Sequence, residues 1–295
     1  MQLAEGFPRY LLSKQSIDDR ALNKDVAAAL RAKLPNGPLS VVEIGAGIGT
    51  MLLRMLRWDL IAEARYILVD EMEENIRFGL TYLPEWAVEN GFTAEQVDPT
   101  TWMIKDSSHS VTARFVHADV FEYLSRRPAP ADLLVAHAFL DLMPLPERLP
   151  DLLSLTKDLA WLTLNFDGVS TLLPEIDPAL DRKIERLYHQ TMDERPGGGS
   201  SQTGRKLFGF LVEAGAEILS AGASDWIVLP HGGGYLADED YFLKFILGFY
   251  RGSLSGHPEL DDSTFKQWLQ TRHDQIDAGQ MMYLAHQFDF LVKPD

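Results

Sequence analysis

The sequence predicts an α/β protein: a mostly parallel, doubly wound sheet with helices on both faces and an antiparallel last strand. Three observations predict it. Short apolar runs alternate with stretches of helical spacing from Leu39 to about Phe166, the pattern of buried strands joined by helical crossovers. The first run passes straight into a glycine-rich turn, Glu43-Ile44-Gly45-Ala46-Gly47-Ile48-Gly49. The chain closes on Tyr283–Val292, where Phe288, Phe290 and Val292 alternate with Asp289, Leu291 and Lys293, as expected of an antiparallel strand added to a sheet.

In chain order, Leu39–Ile44 is the first strand and Thr50–Ile61 the first crossover helix. Tyr66–Val69 is a second strand that ends at Asp70, followed by a helix from Glu73 to about Glu89. Ala113–His117, Asp132–Ala136 and Leu159–Phe166 are further strands. Arg205–Ala214 reads as a helix stopped by Gly215, a residue suited to a C-cap. Ala216–Leu219 and Trp226–Leu229 are strand-like and separated by Gly222, and Asp240–Tyr250 and Thr264–Ile276 are helical. Two segments read as insertions, at about 167–203 and 231–280. The first holds a helix over Ala179–Met192 and then the flexible tract Arg195-Pro-Gly-Gly-Gly-Ser-Ser-Gln.

A length of 295 residues lies between one large domain and two ordinary ones, at about 150 residues per domain. The 46% hydrophobic content supplies a real core. With no cysteine, disulfides, cysteine nucleophiles and thiolate metal sites are excluded, as in a reducing cytosol. A formal charge of −16 argues against a nucleic-acid partner, which needs a basic footprint. Residues 1–8 lack the basic and apolar regions of a signal peptide. No stretch reaches the roughly 20 apolar residues of a membrane span, so a soluble, cytoplasmic protein is expected. The eight histidines show no metal-ligand spacing, and no metal is expected.

In the turn, glycines permit a sharp reversal and close backbone approach to a ligand, and N–H groups at the next helix start point into the crevice beyond the strand ends. Asp70, ending the second strand, can accept hydrogen bonds from both ribose hydroxyls of a nucleotide. A dinucleotide fingerprint would read Gly-x-Gly-x-x-Gly/Ala, but the last position here is Thr50. The spacing is Gly-x-Gly-x-Gly, with Glu43 two residues before the first glycine.

This resembles the first motif of class I S-adenosylmethionine-dependent methyltransferases, over roughly Leu39–Phe166 plus the closing strands. The resemblance implies a seven-stranded sheet with the insertions forming a lid, residues 1–38 as a helical segment covering the cofactor, and residues 39–295 as the methyltransferase domain. It implies cofactor contacts from Glu43, Gly45, Ala46, Gly47, Gly49, Asp70, Glu71, Met72, Asp119, Val120, Ala136 and His137, with Asp70 on the ribose, Met72 packed on the adenine and Asp119 reading its edge. The run Ala136-His137-Ala138-Phe139 lacks the Asn/Asp-Pro-Pro-Tyr/Phe motif of amino-methylating DNA and glutamine methyltransferases. A small-molecule oxygen or nitrogen acceptor is therefore expected.

Methyl transfer from a sulfonium depends chiefly on holding acceptor and methyl in line, and a base is needed only when the acceptor's pKa is high. His137, ending the fourth strand, is the first candidate base, the alternative being a histidine hydrogen-bonded at the sheet. Asp141, four residues on, is the second. Glu43 can offset its burial against a positive ligand. In Tyr10–Asn23, Ser16 or Asp18 can cap a helix, and Arg20 or Tyr10 can meet the cofactor's carboxylate. His231 and Tyr235, around His231-Gly-Gly-Gly-Tyr235, are candidate acceptor contacts, if that run is not simply a hinge. Trp102, Trp161, Trp226 and Trp268 read as core, any of which can also line an acceptor pocket. Two alternatives stand beside the methyltransferase: an NAD(P)-dependent oxidoreductase, and a domain that binds S-adenosylmethionine without turnover. Oligomeric state, monomer or homodimer, is open.

Overall fold

The computed structural model describes residues 5–295; residues 1–4 of the N-terminal segment read above lie outside them. The chain begins with three helices, α1 (Gly6–Ser13), α2 (Gln15–Ala21) and α3 (Lys24–Lys33). Asn23 caps α3 by accepting from the N–H groups of Asp25 and Val26. Then β1 (Leu39–Ile44), α4 (Thr50–Arg57), β2 (Glu63–Asp70) and α5 (Glu73–Glu89) follow. The helix α4 is shorter than expected, because Trp58 ends it and Asp59 turns the chain at φ 49°.

A hairpin that the sequence does not announce comes next, β3 (Thr93–Asp98) and β4 (Thr101–Lys105). Its outer strand is mostly exposed, with polar residues at most positions, so it carries no apolar run or clean alternation to read. Thereafter come β5 (Ser110–His117), α6 (Val120–Ser125), β6 (Ala131–His137), a short turn of 3-10 helix at Leu140–Leu142, α7 (Leu149–Leu153) and β7 (Thr156–Leu173). The strand β7 runs well into the first expected insertion, leaving α8 (Pro178–Asp193) and the glycine tract as its irregular part. The chain ends with α9 (Thr203–Glu213), β8 (Glu217–Ala223), β9 (Trp226–Val228), α10 (Glu239–Leu254), α11 (Asp262–Asp277) and β10 (Met282–Lys293).

All ten strands form one mixed sheet in the order β3-β4-β5-β2-β1-β6-β7-β10-β8, with β9 also paired to β10. The expected count of seven is corrected to ten: the β3–β4 hairpin extends one edge, and the run after β8 pairs separately as β9. The run β5-β2-β1-β6-β7 is parallel. The last strand, β10, is antiparallel to β7, β8 and β9, as its alternation predicts.

Buried side chains form two clusters, one on each face of the sheet, as a doubly wound fold requires. The larger cluster joins the sheet to α3, α4 and α5 and extends into the N-terminal and insertion helices. There Tyr10 of α1 stacks on Phe242 and Phe245 of α10 at 5.7 and 4.7 Å between ring centroids. Arg9–Asp238 and Arg20–Glu239 ion pairs tie the same two regions together. No helix among the described residues is long and apolar enough to cross a membrane.

Candidate functional site

The strand order places β1 between β2 and β6, whose crossovers leave on opposite sides. An open α/β sheet forms a crevice beyond the carboxyl ends of its strands at such a point. A cavity of about 760 Å³ opens there, lined by the ends of β1, β2 and β6 and by side chains of α1, α8 and α10.

The glycine turn shapes its first wall. Gly45 and Gly47 adopt φ 62° and 56°, conformations that disfavour a Cβ. A Cβ on Gly45 would also stand 2.2 Å from the Phe139 ring, and one on Gly47 2.9 Å from Leu11. Asp70 is fixed across this turn: its Oδ2 accepts from the Gly47 N–H at 2.7 Å, and its Oδ1 accepts from the Met72 N–H at 2.9 Å and Asn75 Nδ2 at 3.0 Å. Asp119 caps α6 through Oδ1 alone, accepting from the N–H groups of Phe121 and Glu122, and stays exposed at the rim. Glu43, Gly45, Ala46, Gly47, Asp70, Glu71, Met72, Asp119 and Val120 thus face one cavity. Two residues of the expected set do not line it. Gly49 begins α4 at φ 89° and packs toward Leu68 and Phe115, and Ala136 is fully buried within β6.

Glu43 is buried, and Tyr66 donates to its Oε2 at 2.8 Å. Burial pushes its carboxyl up to about 8, against the opposing pull of the Tyr66 hydroxyl and of Arg54. A cationic ligand beside it would restore the carboxylate, since a nearby positive charge favours the ionised form.

His137 lines the cavity with both ring nitrogens engaged. Nδ1 is 2.8 Å from the Thr163 hydroxyl and Nε2 is 3.1 Å from Asp18 Oδ2. Asp18 as carboxylate only accepts, so Nε2 carries the proton and Nδ1 accepts from Thr163. Asp18 is itself fully buried and also accepts from Lys14 Nζ at 2.8 Å and Trp226 Nε1 at 2.9 Å. Burial holds His137 down at about 4, despite its bond to Asp18, so the ring is neutral at pH 7. In this tautomer the lone pair is already used, so His137 is a histidine hydrogen-bonded at the sheet, the alternative that the sequence left open.

Asp141, in the 3-10 turn after β6, also lines the cavity. Burial pushes its carboxyl up to about 6. Among the described residues no cation forms an ion pair with it. Three expected contacts lie elsewhere. Arg20 turns away to Glu239 at 2.8 Å, whereas Lys14, six residues earlier at the junction of α1 and α2, lines the cavity. Tyr235 donates from its hydroxyl to the Met281 carbonyl at 2.7 Å, and His231 bridges to Gly234; neither lines the cavity. That glycine run is a tight reversal, not a wall of the site.

The opposite half of the cavity was not legible from motifs. It is built by Tyr188 and Met192 of α8, Ile246 and Phe249 of α10, Phe166 and Ser170 of β7, and Tyr283 and Gln287 of β10. The pairs at helical spacing on α8 and α10 carry a signal, but periodicity alone does not separate a core face from a cavity wall. Two backbone irregularities lie in the cavity lining. Ala138 and Leu164 take φ 49° and 53°, and the Leu164 N–H is held by Asp289 Oδ1 at 2.7 Å.

No protein-family model and no curated protein matches the chain. Among solved structures, it is similar to a cyclopropane-fatty-acyl-phospholipid synthase-like protein from Lactobacillus casei, with a TM-score of 0.53 and 12% identity over 99% of this chain and 96% of that one. It also aligns with an S-adenosylmethionine-dependent methyltransferase from Thiobacillus denitrificans in complex with S-adenosyl-L-homocysteine, at a TM-score of 0.47 and 12% identity over 100% of both chains. At such identity the likeness speaks of fold. With the strand order and the antiparallel β10, the likeness to the synthase-like protein shows that this chain has a Rossmann-like α/β fold.

Proposed function

We propose that the protein is an S-adenosylmethionine-dependent methyltransferase acting on a small-molecule oxygen or nitrogen acceptor. The observation that carries this reading is the convergence of Asp70, the Gly45–Gly47 backbone and buried Glu43 on one wall of a cavity whose other half is apolar and aromatic. The residues present fit the cofactor. Asp70 receives the ribose hydroxyls, Met72 and Val120 flank the adenine, and Asp119 keeps Oδ2 outside its helix cap for the adenine edge. Glu43 faces the amino group and Lys14 the carboxylate, in place of Arg20.

When bound, S-adenosylmethionine supplies a methyl on positively charged sulfur, already activated toward a nucleophile. The chain's own contribution is then to align the acceptor and exclude water. Helices α1, α8 and α10 cover the cavity, and the Arg195–Gly198 tract lines its rim. Asp141 is the group available to take a proton; a carboxyl raised to about 6 is a stronger base than an ordinary aspartate and remains ionised at pH 7. Isothermal calorimetry with S-adenosylhomocysteine and NADH tests the reading: saturable binding of the first and none of the second is expected, and the reverse refutes it.

A further inference from the structure

The acceptor half of the cavity has an unusual balance of groups. Its walls are aromatic: Tyr10, Phe166, Tyr188, Phe249 and Tyr283 all face it. Each of four rings is held by a neighbour outside the wall or beside it. Tyr188 stacks on Tyr250 at 4.1 Å, Tyr10 stacks on Phe245 at 4.7 Å and meets the edge of Phe249 at 5.6 Å, and Phe166 meets His189 at 5.3 Å. The rings are therefore preorganised rather than collapsed into the space between them. Within that space stands one carboxyl, Asp141.

The nearest cations do not neutralise it. Lys14 donates to Asp18 at 2.8 Å, and Arg195 is exposed on the glycine tract at the rim. A half-buried carboxylate with no ion-pair partner among the described residues keeps part of its desolvation cost, and ring faces present negative potential to their surroundings. Both features are relieved by one ligand chemistry, a cation. An anion such as a carboxylate or phenolate would meet Asp141 and the ring faces with the same sign of charge.

We propose that the acceptor is a hydrophobic amine, bound as its ammonium ion between Asp141 and the aromatic walls. This rests on the methyltransferase reading and names its substrate class. In the reaction Asp141 takes one proton from the ammonium, freeing the nitrogen lone pair. The N–C bond forms as the donor's C–S bond breaks, its electron pair staying on sulfur. The product is a methylated ammonium of the same charge as the bound acceptor, and the proton on Asp141 passes to solvent. The site needs no other base, which agrees with the engaged lone pair of His137.

A permanent cation tests the site without turnover. Phenethyltrimethylammonium is titrated into the full-length protein, with and without saturating S-adenosylhomocysteine, beside its neutral isostere in which a tert-butyl group replaces the trimethylammonium. The cation should bind about tenfold more tightly than the isostere, as a desolvated cation–aromatic and carboxylate site implies. Asp141→Asn should remove most of that preference while leaving S-adenosylhomocysteine binding intact, and Tyr188→Leu should weaken the cation more than the isostere. Equal binding of cation and isostere, or a preference unchanged in Asp141→Asn, overturns the proposal. Absence of S-adenosylhomocysteine binding instead overturns the methyltransferase reading, and the cation titration on the ligand-free protein still decides the chemistry of the compartment.

Discussion

His137 and Asp18 stand 119 residues apart in sequence and meet in a buried hydrogen bond of 3.1 Å. Through it the end of β6 is joined to α2, and through Lys14 and Trp226 the same carboxylate gathers α1 and β9. Asp18 thus adds a buried anchor to the Arg9–Asp238 and Arg20–Glu239 ion pairs that hold the N-terminal helices. Asp18→Ala leaves the Lys14 ammonium and the Trp226 N–H buried without their acceptor. Breaking a buried charged pair in this way costs about 3–5 kcal/mol. Urea denaturation should show a loss of that order, whereas a loss typical of a surface ion pair would contradict the central role of Asp18.

The pH dependence of stability has two opposed parts. An ordinary histidine titrates near 6.5, whereas burial lowers His137 to about 4. The unfolded chain therefore binds the proton first, and stability is lost as pH falls from about 6.5 toward 4. His189, also held near 4 by burial, adds in the same direction. Glu43 runs the other way: its folded value of about 8 exceeds its ordinary 4.5, so its contribution is full below 4.5 and lost as pH rises through 8. Asp141 and Asp289, both raised to about 6, act in the same sense at lower pH. Thermal melts across this range should show Glu43→Gln flattening the alkaline limb while leaving the acid limb in place. An unchanged alkaline limb would remove Glu43 as its source.

Much of the scaffold is legible in the sequence because its signals are local. The first strand, the glycine turn and the end of β2 lie within one crossover, so Glu43, Gly45, Gly47 and Asp70 can be read together before any coordinates. The antiparallel β10 shows itself by alternation. The β3–β4 hairpin does not, because an exposed polar strand leaves no apolar imprint. Arg20 illustrates a second limit. A charged residue in the last turn of a short helix suits a ligand carboxylate as well as a distant acid, and only the fold reveals that Glu239 is within reach. The walls of the proposed acceptor half, drawn from α1, β7, α8, α10 and β10, are nonlocal and look like ordinary core faces one helix or strand at a time.

Gly45 should tolerate no side chain. Its φ of 62° and the 2.2 Å approach to Phe139 combine backbone strain of about 1–2 kcal/mol with displacement of that ring. Gly45→Ala should lower both stability and nucleotide affinity, and adding Phe139→Leu should recover part of the second but little of the first. Full recovery of both would show that the ring clash, rather than the positive φ, governs the position.

Cofactor binding should be coupled to proton release. Near pH 7 part of the Glu43 population is protonated, given a value of about 8, and an ammonium beside it favours the carboxylate. Calorimetric enthalpies for S-adenosylhomocysteine measured in buffers of different ionisation enthalpy should reveal protons released by the protein. Glu43→Gln should abolish that dependence, and its persistence would assign the proton to another group.

Direct titration of S-adenosylhomocysteine into the full-length protein tests the central claim. The arrangement of Asp70, Gly45–Gly47 and Glu43 predicts saturable one-site binding, weakened about tenfold or more in Asp70→Ala by loss of charge-assisted hydrogen bonds. No binding to the intact protein, or equal binding to the Asp70→Ala variant, would contradict it.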